Sequence, residues 1–232
     1  MCGPDGSLLG FTNNRSPERV KAMLKKALAD FKPSDVAPIG KGKADPNFNY
    51  EPPQGGLVVT VTALVLEGHD LSEDPDLRRF QESMGRDVLW VRKDEQDALA
   101  RGEFPASLRR RLVLYTLTDF TRGEPGFWDP KEVKASEFVL QDGQMTGSAH
   151  LESATRGFKP RFRGVVEAKD GRVTRFDLVA HGEAWGYGGT TATAAPKGKF
   201  TLGIAFRLAP GSDEADKVMP QGAKAWYPDY IR

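Results

Sequence analysis

The chain has 232 residues, 33 basic and 32 acidic side chains, a formal net charge of +1 and 39% hydrophobic content. That length supports a substantial core, and the balanced charge argues neither for nor against a nucleic-acid partner. The single cysteine, Cys2, excludes an internal disulfide and a cysteine-based metal site, and no run reaches the ~18 apolar residues of a membrane span.

Pro4-Asp5-Gly6 reads as a turn, Ser7 to Thr12 as a short strand and Asn13-Asn14 as a second turn. Ser16 is placed as an N-cap, with Pro17 at the first helical position and Glu18 in the first turn. Val20, Met23, Leu24, Ala27, Leu28 and Phe31 then form one stripe at helical spacing. Residues 33–56 carry Pro33, Pro38, Pro46, Pro52 and Pro53 and read as a linker, with a domain boundary expected there.

Leu57 to Glu67 is rich in β-branched residues and reads as a strand with two apolar faces. A charged segment leads to a short helix over 76–83, a short strand over 88–91 containing Trp90, and a helix over 94–101. The basic run Arg109-Arg110-Arg111, with Arg101 nearby, has no interleaved aromatics. It reads as the solvated end of an element. LVLYTLT, Leu112 to Thr118, reads as a strand, and Asp119 to Pro130 as a loop. Two hairpins follow, each centred on an Asp-Gly pair, Asp142-Gly143 and Asp170-Gly171. Gly186 to Gly198 reads as a mobile small-residue loop. Phe200, Leu202, Ile204, Phe206 and Leu208 alternate at period two. The tail after Ala209 is polar, and Trp226, Tyr227 and Tyr230 are expected to tuck against the surface.

In the second hairpin a two-residue turn would set Val166 opposite Arg175 and mix apolar with charged residues. A three-residue loop instead pairs Phe162 with Leu178, Gly164 with Phe176 and Val166 with Thr174, keeping an apolar face together. It also sets Arg163 opposite Asp177. The same logic in the first hairpin pairs Val139 with Met145, Ala135 with Ala149 and Val133 with Leu151.

The fold class expected is mainly β: an antiparallel barrel or sandwich over residues 57–232, with an N-terminal helical appendage over residues 1–32. Mixed polar and apolar groups on the faces away from the core favour a barrel with a small lumen. Phe176, Leu178, Ile204 and Phe206 are expected inside.

The turn, strand and helix of residues 5–32 resemble the C-terminal hairpin and helix of a thioredoxin-like domain. The resemblance implies that the chain is a fragment, or begins downstream of its true start. The family's Cys-x-x-Cys is absent and Cys2 matches no catalytic position, so no redox residue carries over. The other reading is a helical appendage packed on the β-domain. No secretory signal pattern opens the chain, so the expected compartment is the cytoplasm.

Two constellations could carry chemistry. His181 and Glu183 project to one side of a strand and, with His150, could bind a divalent metal such as zinc or copper. A protein site needs three or four converging ligands. The alternative is that each histidine is a surface or hydrogen-bonded residue. In the loop, Asp119, Arg122 and Glu124 could hold one another while Phe127 and Trp128 line a ligand pocket, with Trp185 a further ligand-binding candidate. The alternative there is a clamp that orders the loop. Serines 136, 148 and 153 lie around His150, but no Gly-x-Ser-x-Gly occurs, and Gly186-Tyr187-Gly188-Gly189 lacks the helix a phosphate loop requires. The expected function is a β-domain that binds a small-molecule or protein ligand, without a catalytic signature. The alternatives are a metal-dependent enzyme using His150, His181 and Glu183, and a truncated thioredoxin-like redox protein with a C-terminal accessory domain.

Overall fold

Alternation of buried and exposed residues builds one antiparallel sheet. In the computed structural model, described for residues 1–13, 16–33, 35, 50–66, 70–124, 126–188, 195–225 and 227–232, seven strands take part. They are β1 (Leu57–Val65), β2 (Gly85–Val91), β3 (Val133–Gln141), β4 (Gln144–Glu152), β5 (Arg156–Lys169), β6 (Arg172–Gly186) and β7 (Lys199–Leu208). Their spatial order is β2-β1-β7-β6-β5-β4-β3. The terminal strands β2 and β3 do not pair among the described residues, so the sheet is open in its hydrogen bonding and is not the closed barrel favoured above. The chain divides into two units, Met1–Asp45 and Pro46–Arg232.

One face of the sheet is covered by α3 (Lys93–Ala100) and α4 (Ala106–Thr116), with α2 (Pro75–Gln81) preceding β2. Leu99, Leu108 and Leu112 from these helices join Val59, Val61, Phe158, Phe162, Phe176, Leu178, Ile204 and Phe206 in one core. The four core residues expected from sequence are all buried. α3 also holds the tip of the long hairpin: Gln96 Oε1 accepts from Val173 N at 2.9 Å. On the other face of β2, the tail packs α5 (Gln221–Ala225) and α6 (Tyr227–Ile231) against Val88 and Trp90.

Three sequence readings change. Leu112–Thr118 is not a strand but falls largely in the second half of α4, where Leu112, Val113, Leu114 and Thr116 are buried. A helix buried nearly all round presents the same short apolar run as a strand. Both hairpins use two-residue turns, with Asp142 and Gly143 at φ 49 and 75° and Asp170 and Gly171 at 51 and 74°. Positive φ at both positions suits the right-handed twist of a hairpin. The face-mixing that a two-residue turn threatened in the second hairpin is removed by a bulge. Glu167 pairs with Arg175, Ala168 with Val173, and Thr174 is the extra residue. Phe162 therefore faces Ala180, Val166 faces Phe176, and Val165 rather than Arg163 faces Asp177. In the first hairpin Leu140 faces Met145, Val139 faces Thr146 and Ser136 faces Ala149, and a bulge then restores the expected Val133–Leu151 pair.

In the first unit, α1 (Pro17–Asp30) starts at Ser16, whose hydroxyl accepts from Arg19 N at 3.5 Å. Ser7–Thr12 forms only a single bridge, Cys2 to Leu8, in place of a strand. Asn14 and residues 36–49 of the linker lie outside the described residues. No described helix is long and apolar enough to cross a membrane.

Candidate functional site

The Asp119–Trp128 loop is tied from both sides. Asp119 Oδ1 accepts from Thr121 N at 3.0 Å and Thr121 Oγ1 at 2.7 Å, while Oδ2 pairs with the buried guanidinium of Arg122. Trp128 is buried and donates Nε1–H to the Leu117 carbonyl at 2.6 Å. Arg156 at the start of β5 stacks on the Trp128 ring at 4.1 Å and donates to the carbonyls of Phe127, at 2.8 Å, and Gly126. Trp185 has Lys159 Nζ at 5.4 Å and Lys199 Nζ at 5.8 Å from its ring.

Three of the five ligand-binding residues read from sequence, Asp119, Trp128 and Trp185, line one cavity with Arg156 and Tyr187. Arg122 and Glu124 are not part of that lining, and Glu124 is exposed. The cavity measures about 20 Å³, the room of one water. Geometry makes this cluster a clamp on the loop. The small-residue loop beside it has residues 189–194 outside the described residues.

The three residues read as metal ligands are not brought together. His181 and Glu183 lie on the exposed face of β6, whereas His150 lies on β4, with β5 between the two strands. Two strand spacings put β4 and β6 ~10 Å apart. The intervening β5 sets Lys159 opposite Glu183 and Arg161 opposite His181. His150 Nε2 lies 2.6 Å from Glu152, and Glu183 pairs with Lys199 at 2.7 Å. Among the described residues no three His, Cys, Asp or Glu side chains converge as a metal would require; His69 lies outside them.

Sequence reading passed over a larger feature. The exposed face of β1, β2 and β7 contributes Thr60, Thr62, Arg86, Ala205 and Arg207 to a groove of about 710 Å³. Its other wall is the tail, with Asp213, Ala215, Asp216, Val218, Met219 and Lys224. Asp87 sits between the walls, and its Oδ1 accepts from Val88 N at 2.8 Å and Gln221 N at 3.0 Å. Burial pushes its carboxyl up to about 6, against those two amides and Lys224, which pull it down. The only trace in sequence is a lone carboxylate inside the strand Gly85–Val91.

Asp87 gives a pH prediction. It is faced by Lys224 from α5 and the Tyr230 hydroxyl from α6, with Arg86, Arg207, Asp213 and Asp216 lining the same groove. Its folded pKa lies above the unfolded value near 3.8, so between those values the folded state binds more protons. Stability therefore falls as pH rises from about 4 through 6, by about 3 kcal/mol from this group. Asp87→Asn keeps the acceptor and removes the titration. The stability gap between Asp87→Asn and wild type, from urea unfolding at pH 4.5 and 7.5, is expected to widen in the variant's favour at the higher pH. A gap that does not change with pH removes this account of Asp87.

The groove's tail wall is anchored by a buried ionic network. Arg111 is 0% exposed, not the solvated end residue that the arginine run implied. It pairs with buried Glu95 and donates to the carbonyls of Trp90 at 3.1 Å and Ile231 at 3.1 Å. Glu95 also accepts from Ser107 Oγ at 2.6 Å and Arg92 N at 2.9 Å. The Tyr230 hydroxyl accepts from Trp90 N at 3.1 Å, and burial raises its pKa above the ordinary tyrosine value. Tyr230 is therefore a core residue and not a surface one. Tyr227 stacks on Tyr50 at 3.9 Å between ring centres; Trp226 lies outside the described residues.

Fold and site together define an open antiparallel-sheet domain whose C-terminal segment walls a groove on the sheet. Compared with family models, curated proteins and solved structures, the chain finds no match.

Proposed function

We propose that the Pro46–Arg232 unit is a binding domain for a small-molecule or protein ligand, and that the ligand lies in the groove between β1, β2, β7 and the tail. The observation that carries this reading is a space of ligand size walled on two sides, by the sheet and by the tail. About 710 Å³ is available there, within the ~300–1,000 Å³ range of ligand sites, against about 20 Å³ at the aromatic loop. Ala205 is exposed in the groove, so Ala205→Trp obstructs it with an indole without touching the core. In a thermal-shift screen of a chemically diverse library, compounds that raise the wild-type melting temperature are expected to lose their effect on Ala205→Trp. A library with no compound behaving this way removes the proposal.

A second reading has one observation in its favour. The Met1–Asp45 unit leaves Leu8, Phe11, Leu24, Leu28 and Phe31 exposed. A 45-residue unit cannot easily bury its own apolar surface, and a segment resembling the end of a thioredoxin-like domain leans on the rest of such a domain. On this reading the β-domain is an accessory to a redox protein. Sequencing the gene upstream of Met1 is expected to find an in-frame Cys-x-x-Cys; a stop codon in frame just before Met1 removes the reading.

A further inference from the structure

Resting on the groove reading above, we propose that the groove selects an amphipathic organic anion. Its head group lies between Arg86 and Arg207, and its apolar body runs along Ala205, Ala215 and Val218.

The sheet register supplies the cradle. Arg86 on β2 faces Thr62 of β1, and Arg207 on β7 faces Thr60. Residues 60 and 62 share one face of β1, so two guanidiniums flank the same two threonines from opposite sides. Lys224 adds a third cation from the tail wall.

These cations differ from others on the same face of the sheet. Arg175 is engaged by Glu167 and Asp177, and Lys199 by Glu183. Among the described residues, neither the Arg86 nor the Arg207 side chain has an ion pair or hydrogen bond.

Each acid in the groove is held in place by the nearby backbone. Asp213 accepts from Ala215 N at 2.9 Å, Asp216 from Gly211 N at 2.9 Å, and Asp87 from two backbone amides. The two arginines without an ion pair are the donors the groove offers, and a planar guanidinium matches carboxylate and phosphate geometry. The apolar half of the ligand follows from Val218, which is 55% exposed beside buried Met219.

The test uses the full chain and four eight-carbon probes held below their aggregation concentrations: octanoate, octyl phosphate, octyl glucoside and octyltrimethylammonium. Calorimetry is expected to show binding of octanoate, octyl phosphate or both, each lost in Ala205→Trp. Arg86 and Arg207 are exposed, so Arg86→Gln and Arg207→Gln are expected to fold normally. Each is expected to weaken the anions about ten-fold, the effect of losing one charge-assisted hydrogen bond, and to leave octyl glucoside unchanged. Binding of octanoate alone assigns a carboxylate head; binding of octyl phosphate alone assigns a phosphoryl head. If the glucoside or the ammonium probe binds in the groove as tightly as the anions, or both Gln variants bind the anions like wild type, the anion assignment falls and the groove reading survives. If no probe binds in a way that Ala205→Trp abolishes, this proposal falls, and the library screen decides the groove reading separately.

Discussion

Arg111→Met is expected to destabilise the domain by about 3–5 kcal/mol, the usual cost of leaving one member of a buried ion pair alone. Glu95, 1% exposed, would keep its Ser107 and Arg92 N–H donors and the Arg92 guanidinium at 3.6 Å, but lose its fully buried counter-charge. The Trp90 carbonyl would lose its guanidinium donor as well, and the Ile231 carbonyl one of two, the Arg92 guanidinium remaining at 2.7 Å. Those two carbonyls join β2 to the last helix, so the damage should concentrate at the C-terminus. Hydrogen exchange is expected to show amides of residues 227–232 opening in the variant while β5 to β7 stay protected. Glu95→Gln should cost less, because Arg111 keeps its backbone acceptors. The double variant should recover part of the Arg111→Met loss, because no stranded carboxylate remains. Arg111→Met within 1 kcal/mol of wild type in urea unfolding would show that the network contributes little.

Deleting Thr174 is expected to leave the fold intact, whereas deleting Val179 from the same strand should abolish it. Thr174 is the extra residue of the bulge. Without it, the Asp170-Gly171 turn runs directly into the observed register, with Val166 still facing Phe176 and Glu167 still facing Arg175. The loss is the Thr174 hydroxyl bond to the Glu167 carbonyl, 3.3 Å long and exposed, worth about 1 kcal/mol or less. Val179 is half exposed and contributes little packing itself. Its removal, though, rotates one half of β6 against the other, because side chains alternate with a period of two. Either Phe176 and Leu178 or Ala180 and Ala184 then leave the core. For the first pair, large-to-small analogues give about 5–10 kcal/mol, comparable to the whole stability of a domain. β6 is paired on both sides, so two ladders are disturbed. Dispersed amide spectra and cooperative unfolding for the Thr174 deletion, with neither for the Val179 deletion, are the expected results. Equal behaviour of the two would overturn the assignment of the bulge.

The same bulge accounts for the difference between the expected and the observed hairpin register. With the turn as the only free variable, a three-residue loop is what keeps the apolar face together. The chain keeps the tight turn and inserts its odd residue in the strand. A trace of this is visible: Thr174 and Arg175 are consecutive polar residues between Val173 and Phe176, a break in the alternation. The arginine run is a harder case. Arg109, Arg110 and Arg111 look alike in sequence, and only the helical phase of α4 shows that Arg111 shares a face with Leu108 and Tyr115. The partner Glu95 lies sixteen residues earlier, on another helix. As for candidate sites, Asp119, Trp128 and Trp185 do meet, but in a space of water size. The three residues read as metal ligands face outward from strands that are not neighbours.

Local pattern determined what local interactions control. Ser16 and Pro17 start the first helix, the Asp-Gly pairs place the turns, and alternation in Phe200–Leu208 fixes which residues of β7 are buried. Each depends on residues a few positions apart. The open edge of the sheet, the burial of Arg111 and Tyr230, and the groove around Asp87 were decided only by tertiary structure. Each needs segments more than a hundred residues apart, β1 and β2 with β7 and the tail, to meet, and the desolvation that sets their chemistry exists only once they have met.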